Sequence, residues 1–271
     1  MRQDTMPRVN RTGEQARQNE EFGPQFLESL ARGLTIIKAF ERRTQQMTLS
    51  EVARIVDLPR ATVSRSLYTL ACLGYVQEEN KRFQLTPKIL SLATCYLSSN
   101  SLSSVLQPAV ERISKTLGES SMCGVLDGAN FTLVARATPP WTMTLNMGIG
   151  SQLPAATSAI GRVLLAALND KALTKVLSSI DPEKLTEHTV LSKATIQKQI
   201  VKVRRDGYSL VEDEVVLGFR SIAVPIKDYS GKVVAALNVG VQSKRIKLSM
   251  SINEHLPLLL REASLLSAQL I

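Results

Sequence analysis

The sequence predicts two folded domains joined by a helix. Residues 25–86 read as a winged helix-turn-helix, 87–104 as a linker helix, and 105–271 as an α+β domain on an antiparallel sheet. Three observations carry this. Apolar residues recur at three- and four-residue spacing in three successive segments before Gly74, and a hairpin pattern follows at once. Beyond Gly118 they fall into short strand-like groups separated by turn residues and flanked by helical patterns. A chain of 271 residues, 44% hydrophobic and 21% charged, suits two globular domains better than one or three.

Residues 1–24 are polar, with Pro7, Gly13 and Pro24, and read as a disordered tail. The first helix begins near Phe26, with Leu27, Leu30, Leu34, Ile37 and Phe40 on one face. Thr48 and Glu51 form a capping box that opens the second, whose buried stripe is Leu49, Val52, Ala53 and Val56. Pro59, at a first-turn position, opens the third, with Val63, Leu67, Leu70 and Leu73 inward and Gly74 at its end. Tyr75–Gln77 and Arg82–Leu85 flank the turn Glu78–Lys81, pairing Tyr75 with Phe83 and Val76 with Leu85. A helix over 88–98 follows, ending in the polar run Ser98–Ser104. Its apolar face is Ile89, Leu92, Ala93 and Tyr96.

In the second domain, helices are expected over 105–118, Ser158–Leu168, Asp170–Leu177, Ala194–Arg205 and 245–270, with a turn at Pro182–Leu185. Strands are expected at Met122–Leu126, Thr132–Ala135, 142–147, Tyr208–Asp213, Phe219–Pro225 and Val233–Val241. The pattern implies helices on one side of the sheet. Gly161, inside a helical pattern, signals close packing or a nearby ligand.

Several function classes are excluded. Apolar runs such as Val163–Leu168 are too short to span a bilayer, and Met1–Pro7 holds no apolar secretory core. Cys72, Cys95 and Cys123 form neither a disulfide framework nor a metal pattern, so the cytoplasm is the expected compartment. The two histidines, His188 and His255, read as surface or structural groups, and no nucleophile, phosphate-loop or zinc-hydrolase motif occurs. Neither an enzyme nor a bound cofactor or metal is expected. The carboxylates Glu212, Asp213 and Glu214 read as a solvated loop or a salt bridge to Arg220. Cys123 reads as a buried small hydrophobe or a cavity wall.

The formal charge of +9 favours polyanionic partners, though both halves of the chain share the excess. Placement says more. The third helix presents Arg60, Thr62, Ser64, Arg65 and Tyr68 away from its apolar stripe, types suited to base edges in a major groove. Lys81 and Arg82 at the hairpin tip suit phosphate or the minor groove. The alternative is a three-helix domain with ordinary surface arginines.

A ligand site is also legible. Leu153–Gly161 runs from loop into helix, leaving the N–H groups of Ala159 and Ile160 free to receive a carboxylate. Trp141, Met143 and Phe219 suit an apolar or aromatic body, and Ser221 and Asn238 suit orienting hydrogen bonds. Met143 and Phe219 read equally as core, and Trp141 as a dimer contact.

Several segments in order resemble the IclR family of bacterial transcriptional regulators. In the first half these are Ser29–Leu34, Leu58–Arg65 and Leu73–Val76. In the second they are Leu153–Pro154, Thr157–Ser158 with Gly161–Ala166, Arg204–Tyr208, Gly218–Pro225 and Ala235–Val239. The segment from Phe26 and Arg204–Tyr208 are most similar to the branch controlling aromatic-acid catabolism, which responds to protocatechuate, 4-hydroxybenzoate or β-ketoadipate. The resemblance implies a GAF-like effector domain, a double-stranded DNA operator, a small carboxylate effector, and a homodimer or homotetramer. RNA polymerase would be a further partner of an activator; no membrane partner is implied. The family's pocket positions fall on Ala159, Ile160, Phe219, Ser221 and Asn238, with Met143 near them. Ser221 replaces the cysteine of some oxoacid sensors, Phe219 is bulkier than the common leucine, and Trp141 is unusual. A small aliphatic oxoacid effector, or a second domain serving only oligomerisation, are the alternatives.

Overall fold

The structure, a computed structural model, describes residues 23, 25–40, 46–99, 101–140 and 147–270. The expected tail over 1–24 except Gly23, the expected strand over 142–147 except Met147, and the candidate residues Trp141 and Met143 lie outside them. The chain divides into two compact units between Thr94 and Cys95.

In the first unit, α1 (Glu28–Ala39), α2 (Leu49–Val56) and α3 (Arg60–Cys72) pack around Ile36, Val52, Val63, Leu67 and Leu70. The α2 start is doubly capped. The Thr48 hydroxyl accepts from the Glu51 N–H at 3.3 Å, and the Glu51 carboxylate accepts from the Thr48 N–H at 2.7 Å. That bond holds the Glu51 carboxyl below its usual range. Pro59 stands one place earlier than expected, as the residue capping α3. At the other end the Gly74 N–H reaches the Ala71 carbonyl and the Tyr75 N–H reaches that of Leu70.

The hairpin β2 (Val76–Glu79) and β3 (Arg82–Leu85) turns at Asn80-Lys81, both left-handed as a two-residue hairpin turn requires. Val76 faces Leu85 as expected, but Phe83 faces Glu78, not Tyr75. The two-residue turn sets a single register along the hairpin, in which Val76 opposite Leu85 requires Glu78 opposite Phe83. Phe83 finds its apolar neighbour in Met47 of β1 (Met47–Thr48), a third strand that two residues of sequence do not announce.

After a 3-10 turn at Pro87–Ile89 comes α4 (Leu90–Ser99). Helix α5 (Ser101–Leu117) starts earlier than expected and absorbs the polar run to Ser104, because Leu102 and Ser103 are buried rather than solvated.

The second unit is built on a six-stranded antiparallel sheet. Its strands are β4 (Ser120–Asp127), β5 (Asn130–Ala137), β6 (Gln152–Pro154), β7 (Ser209–Glu212), β8 (Phe219–Lys227) and β9 (Val233–Gln242), in the order β6-β5-β4-β9-β8-β7. Helices cover both faces, not one. On β8, Ile222, Val224 and Ile226 point to one face, with Leu237 and Val239 of β9; α5 and the terminal α9 (Leu256–Ser267) cover them through Val110, Ile113, Leu259 and Ala263. The intervening positions Ala223 and Ala236 point the other way. There α6 (Ala159–Ala166) and α8 (Lys193–Asp206) bring Ile160, Val163 and Val203. The two-residue side-chain period of the strands sorts the two cores.

Helix α7 (Asp170–Ser179) packs Leu173 and Leu177 against Ile196 and Ile200 of α8. The expected turn at Pro182–Leu185 lies further on, at Thr186–His188, where the Thr189 hydroxyl accepts from the Leu185 and Thr186 N–H groups. The terminal helix is broken by a π-helical stretch, Ser251–His255, before α9. Among the described residues no helix is long and apolar enough to cross a membrane.

Gly161 is forced by space. A Cβ there would run into the backbone of Ala155, so α6 lies directly on the loop that precedes it. Thr48→Ala is expected to lower unfolding free energy by about 1 kcal/mol through loss of the cap. Gly161→Ala should lower it by about 3 kcal/mol through overpacking, although helix propensity alone would gain about 1 kcal/mol. Urea denaturation followed by circular dichroism measures both.

Candidate ligand cavity and nucleic-acid interface

One cavity opens between α6 and the sheet. Its walls come from Met122 and Phe131, from Met147 and Leu153, from Ile160, and from Val211, Val215 and Phe219. The space between the lining atoms, mouth included, is about 500 Å³. Gly240 makes room for one wall: a Cβ there would strike the Phe219 ring. The Phe219 ring points its Cζ end at Gly240 of β9.

The polar lining is sparse: Ser158, Glu214, Ser221 and Asn238, with Ala159 at the helix start. Ser158 caps α6, its hydroxyl accepting from the Gly161 N–H at 3.1 Å. The first two N–H groups of the helix, on Ala159 and Ile160, have no intrahelical acceptor and carry its positive dipole end. Ser221 and Asn238 are diagonal neighbours on one sheet face, since Ala223 pairs with Asn238 and Ser221 with Gly240. Their side chains share a 2.7 Å hydrogen bond, and Asn238 Oδ1 is buried without a partner.

Glu214 departs from the sequence expectation. Glu212 pairs with Arg220 at 2.7 Å as read. Glu214 is instead buried against Arg162, whose two terminal nitrogens each donate to one carboxylate oxygen at 2.7 Å. Arg162 also donates to the Ala156 carbonyl at 2.8 Å. The Val190 N–H donates to the Glu214 carboxylate at 3.2 Å, and the Thr189 hydroxyl to the Glu214 carbonyl at 2.7 Å. Sequence reasoning passed over Arg162. The available signal was a lone arginine amid Ala159, Ile160, Val163, Leu164 and Leu165, which in a buried helix demands a partner.

Cys123 lies in the core under α5, on the face away from the cavity, so it is not a cavity wall. Burial pushes its thiol up. His188 is exposed, whereas His255 is buried and burial pulls its imidazole down. Among the described residues no group of three His, Cys, Asp or Glu side chains is placed to hold a metal.

In the first unit, α3 buries Val63, Leu67 and Leu70 and leaves Arg60, Ser64, Arg65 and Tyr68 exposed, with Thr62 half-buried. Lys81 and Arg82 are exposed at the hairpin tip. The two clusters sit on separate elements of one unit, joined through the core beneath them. Tyr68 is 72% exposed, more than an aromatic residue kept for packing would be.

Glu214→Ala would strand the Arg162 guanidinium in the interior and release the Thr189 region. It is expected to cost about 3–5 kcal/mol, measured by urea denaturation.

Two family descriptions match. One, for the IclR helix-turn-helix domain, covers residues 29–80, and the other, for the bacterial transcriptional regulator IclR C-terminal region, covers residues 94–268. The chain is 38% identical to the Pca regulon regulatory protein of Pseudomonas putida over 91% of this chain and 85% of that protein. It is similar to the crystal structure of a transcriptional regulator from Rhodococcus sp. RHA1, with a TM-score of 0.79 and 42% identity over 90% of this chain and 98% of that one. It is also similar to a double mutant of the PobR inducer-binding domain from Acinetobacter in complex with 3-hydroxybenzoic acid. That TM-score is 0.57, with 28% identity over 61% of this chain and 97% of that one. Both domains are matched, in the same order and over nearly all of the chain: it belongs to the IclR family of bacterial transcriptional regulators.

Proposed function

We propose that this DNA-binding regulator senses a monocyclic aromatic acid in the cavity between α6 and the sheet. The observation that carries the reading is the chemistry of the lining. Two phenylalanine rings and aliphatic side chains line the space, and Ala159 and Ile160, the first two residues of α6, are among the lining residues. An aromatic body fits such walls, and a carboxylate fits a helix start. The 3-hydroxybenzoic acid held by the related PobR domain supports the same class.

In this reading a dimer binds a pseudo-palindromic operator. Each α3 enters a major groove with Arg60, Thr62, Ser64 and Arg65 nearest the bases and Tyr68 beside them, and the β2–β3 hairpin acts as the wing. Lys81 and Arg82 contact phosphate and set the salt dependence. Helix α4 and the start of α5 form the linker, and the exposed Leu92 and Tyr96 on α4 face the partner copy. Ligand acts only through a difference in affinity between two arrangements of the dimer. A shift of α6 against β8 supplies that difference.

Thermal denaturation of the full chain with aromatic acids and with pyruvate and glyoxylate tests the sensor reading. An aromatic acid at about 100 times its dissociation constant should stabilise by about 2.7 kcal/mol, with no comparable shift from the oxoacids. A shift only with oxoacids, or none with folded protein, would count against it. For the DNA face, duplexes selected from a randomised pool supply the operator. Arg65→Ala should then cost about 1–3 kcal/mol and relax one base position. Lys81→Ala should weaken all duplexes evenly and lower the salt slope by about 1.

A further inference from the structure

We infer that Thr86 and Lys88 are positioning residues for operator binding. They clamp the start of the linker helix α4 to the end of α3, and so set how two recognition helices are held relative to each other, without touching DNA. The inference rests on the reading above that a dimer binds two half-sites.

A helix ends with carbonyls that lack helical partners. Beyond the last turn of α3, three consecutive carbonyls are taken by one short segment. The Lys88 ammonium donates to the Leu73 carbonyl at 2.8 Å. The Thr86 hydroxyl donates to the Gly74 carbonyl at 2.5 Å, and the Thr86 N–H to the Tyr75 carbonyl at 2.9 Å. Lys88 also stands over the Tyr75 ring, 5.2 Å from its centre. A cation at this place suits the negative end of α3.

The same two residues begin the next helix. Thr86 caps the 3-10 turn Pro87–Ile89, its hydroxyl accepting from the Lys88 N–H at 3.3 Å. Helix α4 follows directly at Leu90. The Thr86 hydroxyl therefore belongs to both helices: it donates to the end of α3 and accepts from the start of the linker.

Apolar packing does not duplicate this joint. Every residue from Leu90 to Tyr96 is exposed, and among the described residues α4 contributes none to the core of the first unit. The boundary between the two units falls inside α4. A helix held at its start passes its direction on through that start. With the clamp intact, α4 leaves α3 at a fixed angle, and two α3 helices joined through their linkers keep a fixed separation. With the clamp broken, each α3 retains its apolar stripe of Val63, Leu67 and Leu70 and its exposed face. Only the separation loosens. The second half-site is then met at a lower effective concentration, so the loss falls on the advantage of two half-sites over one.

Fluorescence anisotropy of the full chain tests this, with the selected operator duplex and the same duplex with one half scrambled. The parent protein should bind the operator at least about tenfold tighter than the half-scrambled duplex. In Thr86→Val, checked for folding by circular dichroism, that ratio should fall at least about fivefold, with half-scrambled affinity and salt slope kept within about twofold. Thr86→Ser, which keeps the hydroxyl, should restore the ratio, and Lys88→Met should lower it as Thr86→Val does. An unchanged ratio in Thr86→Val and Lys88→Met would overturn the inference and leave the dimer reading standing. Equal losses on both duplexes would also overturn it, since they would mark a role in folding α3 or, with a lower salt slope in Lys88→Met, a phosphate contact. So would dissociation of the variants, seen by sedimentation. A parent protein that binds both duplexes equally would overturn the inference and the dimer reading together.

Discussion

The buried pair of Arg162 and Glu214 joins three pieces of chain that are far apart in sequence. Arg162 sits in the first turns of α6 and holds the Ala156 carbonyl of the preceding loop. Glu214 sits in the connection from β7 to β8, and its carboxylate and carbonyl also receive Val190 and Thr189. A guanidinium in the interior is costly unless every neighbour is in place, so the pair penalises any loosening of α6, the 186–190 turn or the 213–218 connection. Of these, α6 and the 213–218 connection line the cavity. The collision that would follow a Cβ at Gly161 makes the same point sterically: α6 and its entry loop move together.

The sheet beneath supplies order of another kind. Alternation along β8 and β9 sends Ile222, Val224, Leu237 and Val239 into the core under α5 and α9. It sends Phe219, Ser221 and Asn238 toward α6. The face under α5 and α9 is mainly an apolar core, with the buried Arg220 paired to Glu212 and bonded to the Ile246 carbonyl. The other mixes core with cavity, and its few polar groups, Ser221 and Asn238 among them, are buried. A buried amide with an unused oxygen costs free energy in the unliganded state.

The first unit follows the same economy. Its core is small, and the capping box at Thr48, the Schellman end at Gly74 and the two-residue turn at Asn80-Lys81 fix where each helix and strand stops. With the boundaries set, the apolar stripe of α3 determines which side chains remain outside. Arg60, Ser64 and Arg65 are presented by default of burial, on a rigid helix. The hairpin carries Lys81 and Arg82 on a separate element of the same unit.

Much of this was legible in local sequence. Periodicity and caps placed the helices α1 to α3, the hairpin, a cap at Thr157 or Ser158 that Ser158 fills, and β8 and β9, because those signals depend on neighbours within a turn or two. The expected inward Leu27, Leu30, Leu34 and Leu73 are nevertheless exposed, and Ile36 and Ala39 are the buried residues of α1. The free N–H groups of Ala159 and Ile160 follow from any helix start, and Ser221 and Asn238 were visible as polar residues on otherwise apolar strands. What the local pattern missed depends on distance in the chain. The two-residue β1 exists only because β3 is there to pair with it. Helices on both faces of the sheet and the removal of Cys123 from the cavity are outcomes of packing. Arg162 and Glu214 stand 52 residues apart, and nothing in either segment names the other. Sequence alone determined the elements and the candidate polar groups, since these are local matters of hydrogen bonding and hydrophobic period. Tertiary structure decided which charges cancel and which buried atoms stay unpaired, because both depend on which distant surfaces meet.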